Sequence, residues 1–77
     1  MVSTFTLARA GVGVAKEVLG ELKKIQELEK VYVLFGEWDF LCIAKTDNLK
    51  DATSTVLDKI QKVKGITFTR TLVEAEI

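Results

Sequence analysis

The sequence contains no histidine and only one cysteine. Without histidine the commonest general base and metal ligand is missing, and one cysteine offers neither a pair at zinc or copper spacing nor an internal disulfide. No metal site and no cofactor are expected. A surplus of positive charge is also missing: eleven basic residues balance eleven acidic ones. A domain that neutralises several phosphates gathers excess Lys and Arg on one face, so direct nucleic-acid binding is not expected. The adjacent pair Lys23-Lys24 falls in a stretch with helical spacing, where such pairs decorate a solvated face. No apolar run approaches the roughly 20 residues that cross a bilayer. No stretch joins a basic start, an apolar run and a small-residue cleavage site. A reducing cytoplasm fits this pattern, and no membrane partner is expected.

What is present is an ordinary globular mixture, 48% hydrophobic and 29% charged over 77 residues, with no linker or low-complexity stretch. The expectation is one domain over residues 1–77. A chain this short buries only about 60% of its unfolded surface, and oligomerisation would relieve that marginal stability.

Residues 3–8 alternate, with Phe5 and Leu7 on one side and Thr4 and Thr6 on the other, which predicts strand one. After Gly11 and Gly13, apolar positions Val14, Val18, Leu22 and Ile25 recur at helical spacing, predicting a helix that ends near Glu27. Gly20 inside it suggests a close approach to the sheet. Two β-branched and aromatic runs, 31–35 and 40–44, flank the four-residue turn Gly36-Glu37-Trp38-Asp39 and predict a hairpin. Asp47 and Asn48 can cap a second helix, followed by Leu49, Ala52, Val56, Ile60 and Val63 and running to about Lys64. Gly65 stops it, and residues 66–73 alternate again as strand four. The order βαββαβ is the split βαβ, ferredoxin-like arrangement of class α+β. It places two helices on one face of a four-stranded antiparallel sheet with strand order 4-1-3-2.

Strands two and three are apolar on both parities: Val31, Val33 and Phe35 against Tyr32 and Leu34, then Phe40, Cys42 and Ala44 against Leu41 and Ile43. Two helices hide one face only, so the other calls for a second copy, and a dimer packed sheet on sheet is expected.

Few residues suggest chemistry. Cys42, mid-strand among apolar neighbours, reads as an inert core thiol rather than a nucleophile. Gly11-Val12-Gly13 opens a helix but lacks the full dinucleotide fingerprint, and reads as a loop. In the hairpin turn, Gly36 allows unusual backbone geometry and exposes amides, while Asp39 either fixes the turn or accepts hydrogen bonds from an ammonium group. Thr67, Thr69 and Thr71 point the same way and should face Thr4 and Thr6 across strands one and four. They serve either as cross-strand pairs or as hydroxyls for a polar ligand. Arg70 has the opposite parity and sits at an edge or binds a carboxylate.

The hairpin from Val31 to Leu41 with its G-x-x-D turn, followed by a helix and then Lys64-Gly65-Ile66 with Thr69-x-Thr71-x-Val73, resembles the C-terminal effector domain of the Lrp/AsnC, or feast/famine, transcription regulators. That domain is also called RAM, for regulation of amino acid metabolism. The resemblance covers nearly the whole chain. It implies a dimeric α/β-barrel type of assembly, with sheet-packed dimers forming a homo-oligomer such as an octameric ring. An amino acid or related small metabolite would bind as effector in clefts between dimers. Carried over by position, it implies Gly36, Glu37, Trp38 and Asp39 in the loop, and Thr69 and Thr71 on strand four, as ligand-binding residues. Trp38 stands where the family often has a smaller aromatic, which bears on pocket size. Regulators of the family carry an N-terminal helix-turn-helix, whereas this sequence opens almost directly on strand one. The expectation is therefore a stand-alone module with no helix-turn-helix. It would sense an effector and regulate transcription or amino acid metabolism indirectly, co-assemble with full-length Lrp/AsnC regulators, or serve metabolism in another way. Two alternatives of other classes are a small enzyme of the dimeric α/β-barrel type, drawing on Asp39, Glu37, Tyr32 or Cys42, and a purely structural subunit of a larger regulator. ACT domains share the same element order.

Overall fold

Alternating residues at each end of the chain and in its middle form the strands of one sheet in a computed structural model that describes residues 1–75. The elements are β1 (Val2–Ala10), α1 (Ala15–Leu22), β2 (Leu28–Val33), β3 (Phe40–Thr46), a second helical segment and β4 (Ile66–Val73). The second segment joins α2 (Leu49–Asp51), a π-helical stretch (Ala52–Leu57) and α3 (Asp58–Gln61). The sheet order is β2-β3-β1-β4 with every pair antiparallel, as the split βαβ reading predicts. β1 lies at the centre, with Thr6 between Cys42 and Thr71, and Leu7 between Leu41 and Arg70.

One face of the sheet is sealed. Ala8, Phe40, Cys42 and Ala44 pack there against Val18 and Leu22 of α1 and Val56 and Ile60 of the second segment, all buried. Thr4 and Thr6 lie buried on the same side. The other face holds Phe5, Leu7, Leu41 and Ile43, which are half-buried, with Tyr32, Phe68 and Leu72 exposed to between 43% and 53%. The apolar parity of β1 therefore points away from the helices, beside the apolar residues of its neighbours.

Local chemistry explains how the second helical segment starts and why it is irregular. The Asn48 side-chain oxygen accepts the Asp51 N–H at 2.8 Å, so Asn48 rather than Asp47 caps the second segment. Within that segment the Ser54 hydroxyl donates to the Lys50 carbonyl at 2.7 Å and the Thr53 hydroxyl to the Leu49 carbonyl at 3.1 Å. Such back-bonding competes with the backbone ladder, which here widens into the π-helical stretch. Across the helices' side, the Lys59 ammonium donates to Glu27 at 2.7 Å and holds that carboxyl below its usual range.

Several boundaries differ from the sequence reading. α1 ends at Leu22, not near Glu27, because the chain must turn down to the sheet edge to start β2 at Leu28. Ile25 keeps the helical spacing and packs against the core from a turn, its N–H donating to the Leu22 carbonyl at 3.1 Å. Lys23 and Lys24 thus lie at the helix end and beyond it, not in mid-helix. β2 spans Leu28–Val33 rather than 31–35, lengthening the hairpin loop to residues 34–39. The second segment stops at Gln61, short of Lys64. Gly20 makes no close approach, for a Cβ there would meet nothing within 4 Å. The tight contact is at Gly65, whose φ is +104° and where a Cβ would lie 2.8 Å from Val18 Cγ2.

Candidate functional site

The loop at residues 34–39 rises from one end of the sheet beside the last residues of β1. Its base is fixed by three hydrogen bonds. The Leu34 N–H donates to the Asp39 carbonyl at 2.8 Å, and the Asp39 N–H donates to the Ala8 carbonyl at 3.0 Å. The Asp39 carboxylate accepts the Ala10 N–H at 2.8 Å through Oδ2. Asp39 therefore ties the hairpin to β1, which is the turn-fixing role of its two sequence readings. Gly36, with φ +117°, supplies a backbone conformation that other residues resist.

Glu37 and Trp38 are held from β1 by a residue that the sequence reading did not select, Arg9. Its Nε donates to the Glu37 carbonyl at 2.9 Å and its Nη2 to Glu37 Oε1 at 3.1 Å. Its guanidinium lies 4.9 Å from the centroid of the Trp38 ring. The other neighbour of that ring is Phe68, with centroids 5.9 Å apart and planes 25° from parallel. Arg9 and Phe68 are direct cross-strand partners, on the same side of the sheet as Phe5 and Leu7. Cation–π contact and offset stacking both favour this arrangement. Its sequence signal is weak, because Arg9 and Phe68 meet only once the register of β1 and β4 is known.

The two threonines lie on the opposite, helix-covered side. Thr69 pairs with Ala8 and accepts a hydrogen bond from Gln61 Nε2 at 3.3 Å. It borders a hollow of about 330 Å³ with Gln61, Ile66, Thr67 and Phe68. Thr71 pairs with Thr6, and their hydroxyls share a hydrogen bond of 3.1 Å, as the facing Thr rows predict. Thr67 instead donates to the Arg9 carbonyl at 3.3 Å, and Thr4 has Val73 opposite. Within one chain, then, Gly36, Glu37, Trp38 and Asp39 form one cluster, Thr69 stands on the neighbouring strand with its side chain on the other face, and Thr71 is engaged further along. A wider groove of about 1250 Å³ between the two helical segments, floored by Val14, Ile25 and Val63, contains none of these six residues. Its rim carries lysines that mostly pair with nearby acids, among them Lys24 with Glu21 and Lys62 with Asp58.

The groups that an enzyme would need do not converge. Cys42 is buried, and burial pushes its thiol up to about 11, leaving it protonated and unreactive at neutral pH. Asp39 is tied to Ala10, Glu37 to Arg9, and Tyr32 stands on β2 with Lys30 over its ring. Among the described residues no cluster of three His, Cys, Asp or Glu side chains could hold a metal ion, and no helix is long and apolar enough to cross a membrane.

A sequence model described as the Lrp/AsnC ligand binding domain matches residues 3–76. The chain belongs to the Lrp/AsnC family. Its relatives include an HTH-type transcriptional regulator of Pyrococcus furiosus, 33% identical over 58 residues, which are 75% of this chain and 39% of that protein. The matched stretch thus spans 39% of the length of these curated relatives. Among solved structures it is similar to FFRP-DM1, with 33% identity and a TM-score of 0.88, covering 97% of this chain and all of that one. The transcriptional regulator NMB0573 of Neisseria meningitidis, solved as its L-Met complex, shares the fold at 19% identity with a TM-score of 0.82, covering 97% of this chain and 50% of that one. The resemblance read from the G-x-x-D hairpin and the Thr strand is therefore the family itself, and an effector-binding regulatory module is favoured over the enzyme alternative.

Proposed function

We propose that this Lrp/AsnC domain binds an amino acid or related small metabolite beside the loop at residues 34–39 and assembles with copies of itself through the open sheet face. The observation that carries the reading is the sheet face bearing Phe5, Leu7, Leu41, Ile43, Phe68 and Leu72, which the chain's own helices leave uncovered. An apolar face of this kind on a small domain is an association surface, and a two-fold contact hides it without open-ended growth. The six candidate ligand residues are divided between the two sheet faces of one chain. A cleft that used them all would have to be completed by a neighbouring copy, which favours dimers assembled further, as in an octameric ring. The effector would then act on transcription through assembly and partner regulators rather than through direct DNA contact, in a cytoplasmic setting.

The L-Met complex of NMB0573 makes L-methionine the first effector to try. Mass in solution and thermal shift, each with and without the twenty amino acids, test the proposal. At 100 times its dissociation constant an effector should stabilise the fold by about 2.7 kcal/mol. A protein that stays a folded single copy at micromolar concentration would sink this reading, and one that responds to none of the twenty would remove the amino acids as effectors.

A further inference from the structure

We propose that Arg9 is the positioning residue of the effector loop: by holding Glu37 and Trp38 it sets the shape that the loop presents, and with it the loop's specificity. This inference rests on the reading above that the loop borders the effector cleft.

The contacts of the loop fall into two tiers. The bonds made by Leu34 and Asp39 fix the two ends of the loop to the sheet. Between those ends, among the described residues, Phe35 and Gly36 make no hydrogen bond and are exposed, so the crest is held only through Glu37 and Trp38. Both of those residues are held by Arg9, and Phe68 also stacks against the indole. Asp39 thus determines where the loop leaves the sheet, and Arg9 determines what its crest offers.

The chemistry requires arginine in particular. One planar guanidinium donates to a carbonyl and a carboxylate while lying over an indole, a combination that the compact ammonium of lysine cannot reproduce. The bond to the Glu37 carbonyl is independent of the side chain at position 37. A change of Glu37 should therefore perturb the crest far less than a change of Arg9. Trp38 is stacked toward the sheet face by this grip, and release of the grip would let the indole swing and change the room available to an effector side chain.

Trp38 is the one tryptophan of the chain, so its fluorescence reports the loop directly. The test compares wild type with Arg9→Met, Arg9→Lys and Glu37→Gln by acrylamide quenching of Trp38, with far-UV circular dichroism as the check on folding. Amino acid binding is then measured by calorimetry, beginning with L-methionine. Arg9→Met should expose Trp38 to quencher with the fold intact, Arg9→Lys should restore part of the protection, and Glu37→Gln should leave the quenching close to wild type, whatever it does to ligand binding. For any amino acid that wild type binds, Arg9→Met should weaken affinity by about tenfold, the scale of a lost charge-assisted hydrogen bond. Unchanged quenching in a folded Arg9→Met protein overturns the proposal, as does altered quenching with affinities left as in wild type. If wild type binds no amino acid, the amino acid reading of the proposed function fails, and the quenching comparison still decides whether Arg9 shapes the loop.

Discussion

Phe40 and Leu41 are adjacent in β3 and stand on opposite faces of the sheet, and the two faces are built differently. Under the helices, β1 and β3 present mostly small side chains, Thr4, Thr6, Ala8, Cys42 and Ala44, with Phe40 as the large exception. The helices bring the bulk themselves, in Val18, Leu22, Val56 and Ile60. Small residues on the sheet let the helices come close, and close packing is what a 77-residue domain most needs. On the open face the proportions reverse, with Phe, Leu and Ile dominant and, among the described residues, no helix above them. Hydrophobicity by itself therefore does not mark the inside of this fold. The greasier parity of β1 is kept for contact with something else, while two threonines face the core.

Neighbouring residues of β3 allow this contrast to be broken one face at a time. Phe40 is 1% exposed and is the largest fully buried side chain, so Phe40→Ala should cost about 3–5 kcal/mol through lost burial and a residual cavity. That is a large part of the total stability of a small domain, and the urea midpoint should fall steeply or the protein should fail to fold. A loss under about 1 kcal/mol would mean that the covered face is not the core. Leu41→Lys should act in the other currency, the association of copies. Leu41 lies between Leu7 and Tyr32, with no acid opposite to receive the new charge. Burying it in a contact between copies should weaken association a hundredfold or more, about 3 kcal/mol. The mass in light scattering should then fall toward the 8.6 kDa of one chain with helix and strand content retained. An unchanged mass would remove the open face from the assembly.

The strand count, strand order and Thr6–Thr71 pairing were all legible, because period-two alternation and the βαββαβ order leave few topologies open. The end of α1 was not, since Ile25 continues the helical spacing while packing from a turn. The π-helical stretch was hidden too, as the hydroxyls of Thr53 and Ser54 that bond back to the preceding turn look like ordinary polar positions. Gly20 was misread because a glycine alone does not say whether something approaches it. In the site, the G-x-x-D turn stood out by composition, and Gly36 and Asp39 behave as turn chemistry requires. Arg9 did not stand out, for it lies 28 residues before Glu37 and matters only because β1 and β4 set it opposite Phe68. Its role is a property of register, and sequence periodicity fixes parity more readily than register.

The smallest effect is expected at the next residue, Cys42, and it separates the faces by titration rather than by volume. Burial raises the folded-state thiol to about 11, above the value of 9.0 for a free thiol, because the thiolate would lose its hydration under the helices. Between those two values the unfolded chain has released a proton that the folded chain keeps. The covered face is therefore fully stabilising below about pH 9, and the contribution is lost as pH rises toward about 11. Urea midpoints measured across that window should decline by a slope of at most one proton, and the decline should be absent in Cys42→Ala, whose side chain does not titrate. Every other group is common to both proteins, so only the difference between the two curves reports on Cys42. If the curves coincide, water reaches the thiol, and the seal between the helices and β3 is looser than its burial implies.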